Sequence, residues 1–277
     1  MPDEELFDIE MRLLLHGVRQ VYGYDFTDYS EASIKRRITQ WLASSGYANL
    51  SHAQAVILRD QAAFESLLRG ITVNVSDMFR DPAFFRAIRE QVVPHLKTYP
   101  FVKIWHAGCA SGEEAYSLAI LLEEEGLKGH FRMYATDINN EVLQKAREGI
   151  YPLKEMQRYT KNYQSAGGRG SFSDYYSARY DHAIMMKSLR EQIVFASHNL
   201  ATDADFGEMH LILCRNVLIY FKPTLKERVL RLFDSCLLPG GFLCLGLKET
   251  LDGRRIAPDY GEVAQRMRIY RKSYGQE

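Results

Sequence analysis

The chain has 277 residues, 46% apolar and 25% charged, with 19 glycines and 8 prolines. A composition this close to the globular average excludes a collagen-like, disordered or low-complexity protein and allows one large domain or two modest ones. Thirty-five basic residues balance thirty-five acidic ones, so no global field draws the chain to nucleic acid or membrane, and any electrostatic steering is local. Cys109, Cys214, Cys236 and Cys244 show no two-residue spacing, which argues against a bound metal and a disulfide framework and for a reducing, cytosolic setting. The acidic start MPDEELFDIE is no signal peptide, and no stretch of 18 apolar residues occurs. These features predict a cytoplasmic protein without membrane insertion.

In chain order, residues 5–97 read as successive helices. Ser51 with Gln54 forms a capping-box pattern, and Asp81-Pro82 places an N-cap before an N1 proline. The segment SEASIKRRITQWLASSG reads as a helix with Ile34, Ile38 and Trp41 on one face and Lys35, Arg36 and Arg37 projecting away from it. From Phe101 short apolar runs alternate with amphipathic helices: FVKIWHAG, EEAYSLAILLEEE, FRMYATD, EVLQKAREG, then IVFASHN and MHLILCRN, a further helix, and GFLCLGL. That alternation implies right-handed crossovers and a parallel sheet, with RMRIYRK as a closing edge strand. The expected organisation is a helical domain over 1–95, including a connector, and an α/β domain over 96–277. Residues 151–192 interrupt the rhythm with Tyr151, Tyr159, Tyr163, Tyr175, Tyr176 and Tyr180 and the turn AGGRGS. A loop of this length needs a small fold of its own; its tyrosines read as packing residues first and as an interface with other signalling proteins second.

The first strand ends in HAGCASGEE, and in open α/β sheets ligands sit at such carboxyl ends. Two glycines and a helix opening on Glu113-Glu114 do not suit a dinucleotide diphosphate, which wants three glycines and an uncluttered helix start. One of the two acids stabilises the helix dipole, and the other is free to meet a cation. Asp137 closes the second strand, where it reads either as the N-cap of the next helix or as an acceptor for ribose hydroxyls; the glycine turn upstream favours ribose. Adenosine with a cationic amino-acid tail describes S-adenosylmethionine. His106 and His198, near strand ends, read as satisfied histidines and not as ligands.

The segments ITVNVSDMFRDPAFF, IWHAGCASGEEAYSLAILL, YATDINNEVLQKAREGIY, VFASHNL and LILCRNVLIYFKP together resemble, in the same order, the CheR family of chemotaxis-receptor glutamate methyltransferases. The resemblance implies an N-terminal helical receptor-recognition domain and a Rossmann-like class I S-adenosylmethionine methyltransferase domain carrying a small β-subdomain insertion. It implies methyl transfer from S-adenosylmethionine, leaving S-adenosylhomocysteine, to glutamates on the cytoplasmic helices of methyl-accepting chemoreceptors. Carried onto this chain, the cofactor contacts are Asn74, Ser76, Arg80, Glu113, Asp137, Asn199, Leu200, Arg215 and Asn216, and Arg80 and Tyr220 are catalytic. The hydroxyl of Ser76 stands where the family usually has threonine. The long tyrosine-rich insertion departs from the β-subdomain of members that dock on a receptor's C-terminal pentapeptide.

An ionised glutamate is already a nucleophile, so methyl transfer to it requires orientation and close approach and no general base. Arg80 would hold one carboxylate oxygen; as a surface residue it would instead pair with Asp77 or Asp81. Tyr220 would donate to the acceptor; beside Phe221 it would otherwise be core. Lys35, Arg36 and Arg37 are the expected contacts for an acidic receptor helix. A non-catalytic S-adenosylmethionine-binding scaffold is the alternative function. An amino-methylating nucleic-acid enzyme would carry an Asn- or Asp-Pro-Pro-aromatic motif where this chain has Cys214-Arg215-Asn216-Val217.

Overall fold

The computed structural model describes residues 3–72, 76–251 and 259–274. Expected site residue Asn74 lies outside them. The chain divides into two compact units, Met1–Asn74 with Tyr220–Arg228, and Val75–Ile219 with Val229–Glu277.

The first unit holds α1 (Asp3–Tyr22), α2 (Glu31–Ser45), α3 (Leu50–Ile57) and α4 (Gln61–Ile71). Its core is the apolar stripe of each helix: Met11, Leu14 and Val18 of α1, Ile34, Ile38 and Trp41 of α2, and Phe64, Leu67, Leu68 and Ile71 of α4. Where α4 crosses α2, Gly70 has no side chain because a Cβ there would stand 2.7 Å from Trp41 Cβ. The cap of α3 is Asn49, whose side chain accepts from the His52 N–H at 2.8 Å. Ser51, read as a capping residue, already lies in the first turn and gives its hydroxyl to Glu10 instead. The chain returns to this unit after the sheet: the Ser30 N–H donates to the Tyr220 carbonyl at 2.8 Å, and Tyr29 bridges Phe221.

The second unit opens with α5 (Pro82–Ala87), a π-helical turn over Ile88–Val92 and α6 (Val93–Leu96). Phe84, Phe85, Ile88, Val92, Val93 and Leu96 are buried in the same core as the sheet, which is why the units divide between Asn74 and Val75 and not at the expected 95/96. The sheet is built from β1 (Val102–Ala107), β2 (Phe131–Asp137), β6 (Ile193–Ser197), β7 (Met209–Cys214), β8 (Leu237–Leu245), β9 (Tyr260–Ala264) and β10 (Ile269–Lys272), in the order β6-β2-β1-β7-β8-β10-β9. The β6, β2, β1, β7 and β8 strands pair in parallel, and β10 and β9 close the sheet antiparallel. The RMRIYRK segment is thus an interior strand, β10, and the edge is the unforeseen β9. Helix α7 (Glu113–Glu124) is buried from Glu113 through Leu122, as a helix apolar on every side must be. Helices α8 (Asn140–Glu148) and α11 (Pro223–Cys236) supply the other long crossovers.

The insertion folds as anticipated into a small antiparallel sheet, β3-β5-β4, of β3 (Ile150–Pro152), β4 (Tyr176–Arg179) and β5 (His182–Met185), with α9 (Met156–Ser165) and α10 (Lys187–Arg190). Tyr151, Tyr159 and Tyr163 are core residues, whereas Tyr180, at the β4–β5 turn, is 99% exposed. The packing reading thus covers most of the tyrosines.

Phe85→Ala should cost about 3–5 kcal/mol, the price of emptying a fully packed aromatic site. The loss should appear in the urea transition reported by Trp105 fluorescence in a Trp41→Phe background. A loss confined to the transition reported by Trp41 would place the 82–96 helices with the N-terminal unit instead.

Candidate functional site

In this strand order the chain switches direction between β1 and β7, and a ligand crevice opens outside the carboxyl ends of the strands at such a point. The turn after β1 is built from left-handed residues, with Gly108 at φ +76°, Ala110 at +48° and Gly112 at +91°. A Cβ on Gly108 would fall 2.4 Å from Val217 Cγ2 and one on Gly112 2.9 Å from Ala146 Cβ, so both positions need glycine for conformation and for space. The Asp137 carboxylate fastens this turn to β2: Oδ2 accepts from the Ala110 N–H at 2.9 Å and Oδ1 from the Asn139 N–H at 3.0 Å. The N-cap of α8 is Asn139, whose side chain accepts from Glu141 at 2.9 Å. The capping alternative for Asp137 is thereby taken by its neighbour, and its carboxylate is instead held by backbone N–H groups of the turn. Burial raises the Asp137 pKa while the N–H groups of Asn139, Ala110 and Ile138 oppose the rise.

The paired acids at the start of α7 part ways. Glu114 turns to the Arg215 guanidinium and, at 3.1 Å, to His106 Nε2. Burial, the largest single influence, would raise its pKa, but Arg215 and His106 together outweigh burial and hold it at about 2. Glu113 accepts from the hydroxyls of Ser111, at 2.7 and 2.9 Å, and Ser76 and from its own N–H, and burial pushes it up to about 7. It has no basic partner among the described residues. A buried carboxylate without a cation would accept from an ammonium group and Asp137 from ribose hydroxyls, the pair of acceptors that suits S-adenosylmethionine.

Around this pair stand other expected residues. Asn199 follows β6, with Oδ1 accepting from Ala201 at 3.0 Å, and Leu200 is buried. Asn216, in the left-handed region at φ +61°, follows β7. The Arg215 side chain is 0% exposed, its guanidinium shared between Glu114 and Asp81 and 3.9 Å over the Phe84 ring, so only its main chain is available to a ligand. Arg80 is exposed and has no ion partner among the described residues. Its anticipated surface partners are engaged elsewhere, Asp77 with Arg158 at 2.6 Å and Asp81 with Arg215 at 2.7 Å. Tyr220 belongs to the first unit, where the Arg37 guanidinium lies 5.4 Å above its ring. Of the basic triplet on α2, Lys35 does not project freely: it is paired within the unit to Glu4 at 3.0 Å and Asp8 at 2.8 Å, and Arg36 alone is exposed. Both histidines spend Nε2 inside the protein, His198 on the Ala204 carbonyl at 3.1 Å.

Sequence reasoning missed Glu249. This buried carboxylate accepts from the N–H groups of Asn216 at 3.0 Å, Ile219 at 3.2 Å and Gly246 at 2.5 Å, and so shapes the loop after β7. Its only sequence signal is an acid just beyond the apolar run GFLCLGL. The four cysteines are free and buried, and no cluster able to hold a metal ion occurs among the described residues.

The opposed shifts give stability a defined pH dependence. Folded Glu113 binds its proton more tightly than the unfolded chain does, so its contribution is complete below about pH 4.5 and is lost as pH rises through about 7. Glu114 acts oppositely, its contribution being lost as pH falls from about 4.5 to about 2. Between pH 5 and 7.5 the unfolding free energy should therefore fall by at most about 3 kcal/mol, and Glu113→Gln should remove that fall. Equal slopes for parent and variant in urea titrations would show that Glu113 titrates normally.

Comparison with known proteins gives this geometry a family. Residues 9–72 match the model of the CheR methyltransferase all-alpha domain and residues 74–263 that of the CheR methyltransferase SAM-binding domain, a division that follows the two structural units except for Tyr220–Arg228, which belongs to the first. A Pseudomonas putida protein carrying the methyltransferase name Cher3 is 48% identical over 273 residues, covering 99% of this chain and 100% of that one. The chemotaxis protein methyltransferase of Salmonella typhimurium is 28% identical over 257 residues, covering 88% of this chain and 85% of its own. Among solved structures, the N-methyltransferase NodS of Bradyrhizobium japonicum, in complex with S-adenosyl-L-homocysteine, aligns at 14% identity and a TM-score of 0.40 over 71% of this chain and 89% of its own; at that score it adds no weight to the fold read from the strand order. A family model matches each of the two units, and the chain thus belongs to the CheR family of S-adenosylmethionine-dependent methyltransferases.

Proposed function

We propose that the chain methylates glutamate side chains on the cytoplasmic helices of chemoreceptors, forming methyl esters in sensory adaptation, and that it works in the cytoplasm where those helices lie. The observation that carries the reading is the guanidinium of Arg80, which has no ion partner among the described residues. It is exposed, stripped of its neighbouring acids, and set four residues after Ser76, which bonds Glu113. Among the described residues no helix is long and apolar enough to cross a membrane.

Bound S-adenosylmethionine supplies a methyl group on a sulfonium, open to in-line attack. Asp137 holds the ribose hydroxyls, Glu113 holds the ammonium, and Ser76, Asn199, Leu200 and the main chain of Arg215-Asn216 complete the grip, joined by Asn74. Arg80 binds one oxygen of the acceptor carboxylate and leaves the other free to attack, so no side chain has to move a proton; Tyr220 is the second group assigned to the acceptor. The family match and the absence of any need for a base both support an acidic side chain as acceptor.

Receptor methylation segments are rich in acidic residues, and the exposed Arg36 of α2, with Arg37, offers them a basic face, whereas Lys35 is committed to α1. The exposed Tyr180 turn of the insertion is the second surface offered to signalling partners.

The test is incubation with labelled S-adenosylmethionine and receptor cytoplasmic domains, followed by alkaline release of volatile methanol. The parent should yield base-labile methanol. Arg80→Ala should lower turnover by on the order of a hundredfold at saturating substrates, and Asp137→Ala should weaken S-adenosylhomocysteine binding by roughly ten- to a hundredfold, as loss of charge-assisted hydrogen bonds does. Cofactor binding without methanol from any receptor would make the chain a scaffold. Base-stable label would move the acceptor to nitrogen.

A separate measurement addresses the receptor. Arg36→Glu should raise the KM for receptor several-fold at low ionic strength and much less at high salt, because exposed charges are screened, with cofactor affinity unchanged. A KM independent of this reversal would direct attention to the Tyr180 turn.

A further inference from the structure

Arg80 lies between two non-glycine residues in the left-handed region, Phe79 at φ +52° and Asp81 at φ +57°. A bulky residue such as phenylalanine adopts that conformation only where its surroundings impose it, and strain of this kind concentrates at functional positions. The surroundings here are explicit. The Phe79 ring is fully buried against Phe85 and Tyr163 at centroid distances of 5.1 and 5.3 Å, and its N–H donates to Ser117 Oγ at 2.8 Å. On the other side, Asp81 precedes Pro82 at the start of α5 yet makes no side-chain cap bond. Its carboxylate is diverted to Arg215 Nη2 at 2.7 Å, and Arg215 is itself fixed by Glu114.

Resting on the reading of Arg80 as the residue that orients the acceptor, we propose that Asp81 is its positioning residue. The buried Glu114–Arg215 pair clamps the Asp81 carboxylate, the clamp holds Asp81 left-handed, and two left-handed neighbours fix the direction in which the Arg80 side chain leaves the backbone. Asp81 acts wholly through Arg80. A residue that merely held the fold together would have effects independent of whether Arg80 is present.

A double-mutant cycle separates these cases. Turnover is measured at saturating S-adenosylmethionine and receptor, and S-adenosylhomocysteine affinity by calorimetry, for Asp81→Ala, Asp81→Asn, Arg80→Ala and the Arg80→Ala/Asp81→Ala pair. Asp81→Ala should lower turnover at least tenfold with cofactor affinity within twofold of the parent. Asp81→Asn should recover most of the loss, since asparagine tolerates the left-handed backbone and keeps an acceptor for Arg215. Asp81→Ala should cause no further loss once Arg80 is alanine. If Asp81→Ala does not fold, Asp81→Gly, which accepts the backbone conformation without the carboxylate, carries the same expectation. A full additional loss in the Arg80→Ala background overturns the positioning role. So does parental turnover in Asp81→Ala while Arg80→Ala is inactive, an outcome that leaves the Arg80 reading standing. Parental turnover in Arg80→Ala removes that reading and the positioning role with it.

Discussion

The guanidinium of Arg215 is the interaction on which the turns around the carboxyl end of β7 depend. It is wholly buried, it bonds one acid from α7 and one from the segment before α5, and it lies over the Phe84 ring at 3.9 Å. Three stretches remote in sequence are therefore joined at one planar cation. Burying it is costly in isolation, and the two carboxylates and the aromatic face offset that cost. Such a pair contributes little net stability compared with an apolar replacement, but removing one member strands a buried charge and costs about 3–5 kcal/mol. Its value here is geometric, since it ties the end of β7 to the start of α7 and to the Arg80 loop.

The same cation explains how two adjacent glutamates come to hold different protons. Glu114 faces Arg215 and stays ionised far into acid; Glu113, one residue away and on another side of the helix, has hydroxyls and its own N–H but no cation for company and is pushed up to about 7 by burial. Neighbours in sequence are not neighbours on a helix surface. Had Arg215 reached both, the crevice would hold no carboxylate in need of a cation. The arrangement engages one acid in the fold and leaves the other without a basic partner among the described residues.

On the proposed reading the acceptor is already an anion and asks little of the protein chemically, and the described residues are in keeping with that economy. They offer an oriented arginine, two carboxylates and backbone turns, with no nucleophile–base pair; the cysteines are buried and the two strand-end histidines are engaged in the fold. The precision required is in direction and approach. Strain at Phe79, Asp81, Ala110 and Asn216 is where such precision is expected to be stored, and Glu249 braces the last of these from 33 residues away.

Hydrophobic periodicity by itself determined the helical N-terminal part, the buried Ile34–Ile38–Trp41 face, the parallel strands from β1 to β8 and the separate fold of the insertion, because period and run length are local properties that burial enforces on every such segment. The motif strings determined the family and the crevice at the strand ends. Only the tertiary structure decided which polar groups are spent on the protein and which remain for ligands. Asp81 reads as a helix cap, and Arg215, 134 residues on, takes its carboxylate; Lys35 reads as a surface charge, and α1 takes its ammonium; Arg80 reads as half of a surface pair, and other arginines take both of its partners. The boundary at 74/75 and the interior place of β10 were settled in the same way. A charged group goes to the partner nearest in space, and that distance does not exist until the chain has folded.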